Sequence, residues 1–174
     1  LDTAEVYGNA HEIIGNFHKK NNDSIFKIIT KFPHSVKYDS INNKVLEYIK
    51  QLAISSIEVL MFHSFESLKS NYKALDSLKE LKSKGYIKDI GVSVYTNDHL
   101  KQLLDEDLIT VIQFPFNMLD NFNVRGDLLD QLKQKGKSIH TRSAFLQGLF
   151  FKNINDKSSI VQNLKTELNI LNQI

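Results

Sequence analysis

The chain has 174 residues, 41% hydrophobic and 24% charged, a balance that suits one folded domain of ordinary size and excludes a disordered segment. Its 22 basic and 20 acidic side chains leave a formal charge of +2 with no basic block or arginine stripe, which argues against nucleic acid as a partner. There is no cysteine for disulfides or thiolate metal sites, and no signal-like or long apolar run, so the protein reads as soluble and cytoplasmic with no membrane partner.

The chain opens on Leu1-Asp2-Thr3-Ala4-Glu5-Val6-Tyr7-Gly8. This reads as the end of a strand whose earlier part is missing, with Asp2 at its carboxyl edge, Tyr7 on the turn and Gly8 leading into a helix. Ile13, Ile14 and Phe17 then fall at helical spacing, with Asn9 as a candidate cap and Glu12 three residues on. Residues 24–31 form a short apolar run ending in Thr30-Lys31, a strand. Residues 42–53 put Val45, Leu46, Ile49, Leu52 and Ala53 on one helical stripe, and 57–63 form the next strand, ending at His63. Residues 68–84 read as one helix with Leu68, Tyr72, Leu75, Leu78 and Leu81 on its inner face and Gly85 at its end. The strand 86–94, a short helix 98–104, the strand 110–114 and a loop 117–124 follow. A helix over 126–135 closed by Gly136, a strand 137–142 and a loop containing Gly148 come next. A last helix over 157–173 carries Val161, Leu164, Leu168 and Leu171 on a stripe expected to face the barrel.

Strand and helix therefore alternate, with strand centres near 28, 60, 90, 112 and 140, a repeat the size of one βα unit. Such alternation builds a parallel sheet covered by helices, an α/β fold. Two closures are open to it, a doubly wound sheet or a (β/α)8 TIM barrel. Polar residues follow each strand in turn: Asp2, Lys31, His63, Ser93, Gln113 with Asn117, and Arg142 with Ser143. A barrel assembles its site from all of these ends, whereas a doubly wound sheet favours one switch point and often a glycine-rich phosphate loop, and neither G-x-G-x-x-G nor a P-loop occurs here. The expectation is a partial barrel, about units two to seven, with 1–174 as a single incomplete domain.

Several stretches resemble the aldo-keto reductase superfamily. Asp2-Thr3-Ala4 with Tyr7-Gly8, Glu12 and Gly15 matches its D-T-A-x-x-Y-G-x-x-E-x-x-G signature. Ile29-Thr30-Lys31, Leu60-Met61-Phe62-His63, the segment Gly85 to Ser93, and Gln113 with Asn117 match further motifs. Ser143 to Leu149 is similar to members found with bacterial surface-polysaccharide genes. The resemblance implies a catalytic tetrad of Asp2, Tyr7, Lys31 and His63, NADP(H) as cofactor with NAD(H) possible, and a small carbonyl compound as substrate. Elementary chemistry supports the tetrad. An alkoxide formed by hydride transfer must be protonated, a phenol is a poor acid at neutral pH, and a nearby ammonium stabilises the phenolate. Aspartate would hold that lysine, and a histidine N–H would hold the oxygen where charge develops. The hydride itself needs a nicotinamide, because no side chain supplies one.

By the same resemblance Ser93 and Gln113 hold the nicotinamide carboxamide, and Arg142 and Ser143 contact the cofactor. The sequence departs from the family pattern in having Val94 where an asparagine usually follows the serine, and Arg142 where an aromatic residue usually stacks on the ring. His11, His18, His34, His99 and His140 lack ligand spacing and are read as structural or surface residues, with no metal expected. The segment that grips the cofactor phosphates lies outside the chain, so these 174 residues alone are expected to be weakly active or inactive. Two alternatives stand beside the reductase: a non-catalytic subunit of the same fold that senses a nicotinamide nucleotide, and an unrelated barrel lyase or isomerase.

Overall fold

A computed structural model describes residues 1–21, 23–171 and 173. Five strands form one parallel sheet: β1 (Ile29–Lys31), β2 (Ile57–Phe62), β3 (Ile87–Ser93), β4 (Val111–Pro115) and β5 (Ser138–Arg142), in the spatial order β1-β2-β3-β4-β5. Leu1–Thr3 lies along the other side of β1, where Asp2 bridges Ile29 in parallel and Ile29 N–H donates to Leu1 O at 2.8 Å. Among the described residues the order does not reverse, so these strands hold no switch point of the kind a doubly wound sheet uses.

One hydrogen bond shows that the sheet rolls. Gln113 on β4 donates from Nε2 to Oδ2 of Asp2 at 2.7 Å, although four strand spacings separate the two backbones. A flat sheet would hold them about 19 Å apart, at about 4.8 Å per strand, beyond the reach of these two side chains. Curvature that brings strand ends together around a rim is the geometry of a barrel.

The strands are apolar on both faces. Leu60, Phe62, Ile90, Val92, Ile112 and Phe114 join the main core under the helices, while Val59, Met61 and Val111 pack with Ile29 as a second cluster. Helices α1 (Ala10–Lys20), α2 (Ile41–Leu52), α3 (Phe65–Ser70) and α4 (Ala74–Ser83) come first. They are followed by α5 (Asn97–Gln102), α6 (Phe122–Arg125), α7 (Leu128–Gln134), α8 (Ser159–Asn163) and α9 (Lys165–Leu171). No helix among the described residues is long and apolar enough to cross a membrane.

Several local expectations are corrected. The inner face of α1 is His11, Gly15 and His18, with Ile14 partly buried against the core, and Ile13 and Phe17 point outward. The reason is close packing: Gly15 lies against the backbone of Gln51 and Leu52, and the two histidines satisfy their ring nitrogens internally. His18 accepts at Nε2 from Phe26 N–H (3.1 Å) and bonds through Nδ1 to Leu52 O (2.7 Å), so the chain before β1 is pinned to a histidine and the strand shortens to three residues. Asn9 does not cap α1 with its side chain. On α2 Leu46 is exposed, and Tyr48 takes the buried place beside Val45 and Leu52.

The helix expected over 68–84 is two helices, α3 and α4, because buried Asn71 donates its amide to Val36 O (3.1 Å) and Ser67 O (2.9 Å), and Tyr72 turns outward. The loop over 117–124 contains the start of α6, whose Arg125 is buried and ion-paired with Asp120. The helix over 157–173 is likewise two, and its apolar stripe does not face the sheet. Val161 and Leu168 pack with Leu149 in a separate cluster against the 3-10 segment Leu146–Phe151. Asn172, at the end of that expectation, lies outside the described residues.

Candidate active site

Lys31 is the last residue of β1 and is almost wholly buried, with 3% of its side chain exposed. A buried ammonium requires partners. Asp2, on the adjoining strand stub, ion-pairs with it through Oδ1, and Thr3 O accepts from Nζ at 3.1 Å. The other oxygen of Asp2 accepts from Gln113, so both carboxylate oxygens are engaged.

Tyr7 follows on a turn in which Tyr7 N–H donates to Ala4 O (3.0 Å) and Gly8 takes φ +62°, a left-handed conformation that favours glycine. The Tyr7 ring is half exposed, and Nζ of Lys31 lies 5.9 Å from its centre. The ring of His63, just past β2, meets it edge to face at 6.3 Å and 83°. Burial lowers the His63 pKa below its ordinary value, and the neighbouring His34 and Lys31 add to the effect. The imidazole is therefore neutral at neutral pH and carries one N–H. Among the described residues its Nδ1 is buried and has no hydrogen-bond partner.

Tyr7, Lys31, His63, Ser93, Tyr95, Gln113 and Arg142 line one cavity of about 110 Å³ at the carboxyl ends of the strands. All four tetrad residues meet there, Asp2 through its bonds to Lys31 and Gln113. Of the four expected cofactor residues, Ser93, Gln113 and Arg142 line the cavity, and Ser143 stands behind Arg142. Arg142 donates from Nε to Ser93 Oγ and from Nη1 to Ser143 Oγ, both at 3.3 Å, and its guanidinium lies 4.3 Å from the centre of the Tyr95 ring. Asn117 turns away, its Oδ1 accepting from Leu119 and Asp120 N–H in a tight turn.

Three features escaped the sequence reading. Tyr95 lies two residues beyond β3, and an aromatic residue just past a strand end was the available signal. His34 stacks on His63 with ring centres 4.5 Å apart, although nothing in its spacing marks it. The third is the anchor of the Tyr7 turn. Glu5 accepts from Lys44 Nζ at 2.7 and 2.8 Å and from the buried Tyr48 hydroxyl. The Tyr48 ring meets His11 edge to face at 5.0 Å, and His11 Nε2 bonds Thr30 Oγ1 at 2.7 Å, next to Lys31. These groups border a larger cavity of about 550 Å³ between the turn, α1 and α2. Its Glu5, His11 and Tyr48 are already bonded to one another or to the sheet.

The aldo/keto reductase family profile matches residues 1–172. The chain belongs to this family. The NADH-specific methylglyoxal reductase of Escherichia coli (strain K12) is 28% identical over 115 residues, covering 64% of this chain and 35% of that protein. Among solved structures, the glycerol dehydrogenase of Gluconobacter oxydans superposes with a TM-score of 0.69 at 18% identity, covering 91% of this chain and 53% of that one. An aldo-keto reductase from Bacillus halodurans gives a TM-score of 0.69 at 20% identity, covering 91% and 57%. A third, from a Medee basin deep-sea metagenome library, gives 0.68 at 21% identity, covering 95% and 61%. At these identities the structures establish the shared fold. The chain thus spans about a third of the curated relative and somewhat over half of each solved one.

Proposed function

We propose that this chain carries the catalytic side chains of a reductase that converts a small aldehyde or ketone to an alcohol with a reduced nicotinamide dinucleotide. The observation that carries the reading is the convergence of Tyr7, the Lys31–Asp2 pair and neutral His63 on one cavity at the strand ends. In this reading Tyr7 donates the proton that the substrate oxygen gains, and the Lys31 ammonium, 5.9 Å from the ring centre, stabilises the phenolate left behind. Asp2 holds Lys31 in place. His63 donates its N–H to the substrate oxygen as charge develops there.

The donor set fits the nicotinamide end of the cofactor. The Ser93 hydroxyl and the Gln113 amide border the cavity beside Tyr7 and Lys31, as a carboxamide requires. Bound there, the cofactor supplies the hydride that no side chain can. Gln113 reaches it through Oε1 if its Nε2 stays on Asp2. The sequence reading favours NADP(H) and the curated relative is NADH-specific, so the assay uses both cofactors.

The test follows the absorbance of NADPH and of NADH with a panel of small aldehydes and ketones, for the native chain and Tyr7→Phe. Turnover that falls about 10²- to 10⁴-fold in Tyr7→Phe, the range for losing a general acid, supports the assignment. Full activity in Tyr7→Phe refutes it.

A further inference from the structure

We propose that Arg142 is an oxyanion-binding residue, positioned to take a carboxylate or phosphate of the ligand that sits beside Tyr7. The placement of that ligand rests on the reductase reading; the anion site stands on its own observations. The first is charge. Among the described residues Lys31 is paired with Asp2 and buried Arg125 with Asp120, but no carboxylate lies within 4.0 Å of Arg142. Arg142 is thus the cation of this cavity without an anionic partner.

The second is hydrogen bonding. A guanidinium has five N–H donors, and here two are engaged, both by neutral hydroxyls at 3.3 Å. Nη2 is buried from water and has no partner at all. A charged donor left so is costly, and an oxyanion that displaces a serine hydroxyl relieves the cost by meeting the fork with two parallel bonds.

The third is preorganisation. The Tyr95 ring covers one face of the guanidinium, the two serine oxygens hold its Nε and Nη1 edges, and Ser143 adopts a left-handed φ of +58° to present its hydroxyl. A non-glycine residue in that conformation is strained, and such strain gathers at ligand clamps. Stacking plus a fixed fork is the arrangement in which arginine, and not lysine, recognises carboxylate or phosphate.

The anion has two sources: the carbonyl substrate's own carboxylate or phosphate, or a phosphate of the dinucleotide. Calorimetric titration of the full chain distinguishes them. The probes are glyoxylate, its neutral counterpart methylglyoxal, inorganic phosphate, and reduced nicotinamide mononucleotide. The native chain should bind glyoxylate or the mononucleotide, and Arg142→Gln should weaken that binding at least about tenfold, the lower range for a hydrogen bond to a charged group. A loss confined to glyoxylate assigns the anion to the substrate, and a loss confined to the mononucleotide assigns it to the cofactor. Phosphate should compete with whichever probe is affected. Circular dichroism checks the fold of the variant. If Arg142→Gln does not fold, Arg142→Lys carries the test, because it keeps the charge but loses the fork, and its anion affinity should fall. Equal affinities in native and folded variant chains, or no binding of any anionic probe to the native chain, overturn the proposal. Turnover unchanged in Tyr7→Phe while anion binding persists removes the reductase reading alone. Turnover persisting while anion binding fails removes this one alone.

Discussion

Glu5 offers the most direct test of how the Tyr7 turn is held. Replacing it with alanine removes the acceptor for Lys44 and for the Tyr48 hydroxyl. The Tyr48 residue is 1% exposed, and orphaning its hydroxyl costs about 1–3 kcal/mol. The Lys44–Glu5 pair is roughly a quarter to a third exposed and adds at most about 1 kcal/mol after solvent screening. The sum is about 1–4 kcal/mol, which at about 2–4 °C per kcal/mol for a chain this size lowers the melting temperature by about 2–16 °C. Tyr48→Phe leaves Glu5 with Lys44 and should cost about 0.5–1.5 kcal/mol. The double variant should cost less than the two singles together, because the same hydroxyl cannot be orphaned twice. Thermal melts of the four chains give the coupling directly. Since Glu5 lies two residues before Tyr7, turnover by Glu5→Ala should also fall, by up to about 10²-fold for a displacement near 1 Å. A Glu5→Ala chain melting within about 1 °C of the native one, or a cycle with no coupling, would refute the anchor.

Other outcomes follow from the same geometry. In Gly15→Ala the new methyl would lie 1.8 Å from the Gln51 carbonyl oxygen, so α1 must retreat from α2, and overpacking of about 1–3 kcal/mol outweighs the helix-propensity gain of about 1 kcal/mol; a melt showing a stabilised variant would contradict this. Lys31→Met should separate chemistry from folding: turnover falls about 10²-fold or more while the melt shifts little, because the abandoned Asp2 is 43% exposed and can take up water. Burial holds His11 and His63 below their ordinary pKa of 6.5, so stability is full above that value and is lost as pH falls through it, when the unfolded chain takes up protons that the folded one resists. Melting temperatures should therefore drop from pH 7.5 toward pH 5, with a smaller drop in His11→Gln, and a flat profile would count against buried neutral imidazoles.

Elements whose burial is apolar were legible. The strand centres, the closing glycines Gly85 and Gly136, and the buried leucines of α4 follow from hydropathy and turn chemistry. What escaped was burial driven by polar bonding. The fully buried positions of α1 are two histidines and a glycine, so of its three apolar residues only Ile14 turns to the core while Ile13 and Phe17 lie outside. The break between α3 and α4 is made by the buried amide of Asn71, which hydropathy scores as solvent-seeking. The last apolar stripe had the right period, but periodicity does not say which surface it covers.

The site divides the same way. Parallel strands bring every carboxyl end to one rim, so polar residues after β1 to β5 marked the place without specifying who pairs with whom. Pairing is decided by which charges are buried. Lys31, at 3% exposure, requires the nearest carboxylate, and Asp2 supplies it across the adjoining strand. Fixing one Asp2 oxygen leaves the other facing the rim, where Gln113 reaches it from a residue 111 positions away. Gln113 is therefore tied to the Asp2–Lys31 side of the cavity through its amide nitrogen, while Ser93, which the resemblance joins to it, is tied to Arg142. The two halves of the expected carboxamide grip are thus coupled to different charges, one compensated and one not, so a ligand that moves Arg142 must also release Ser93.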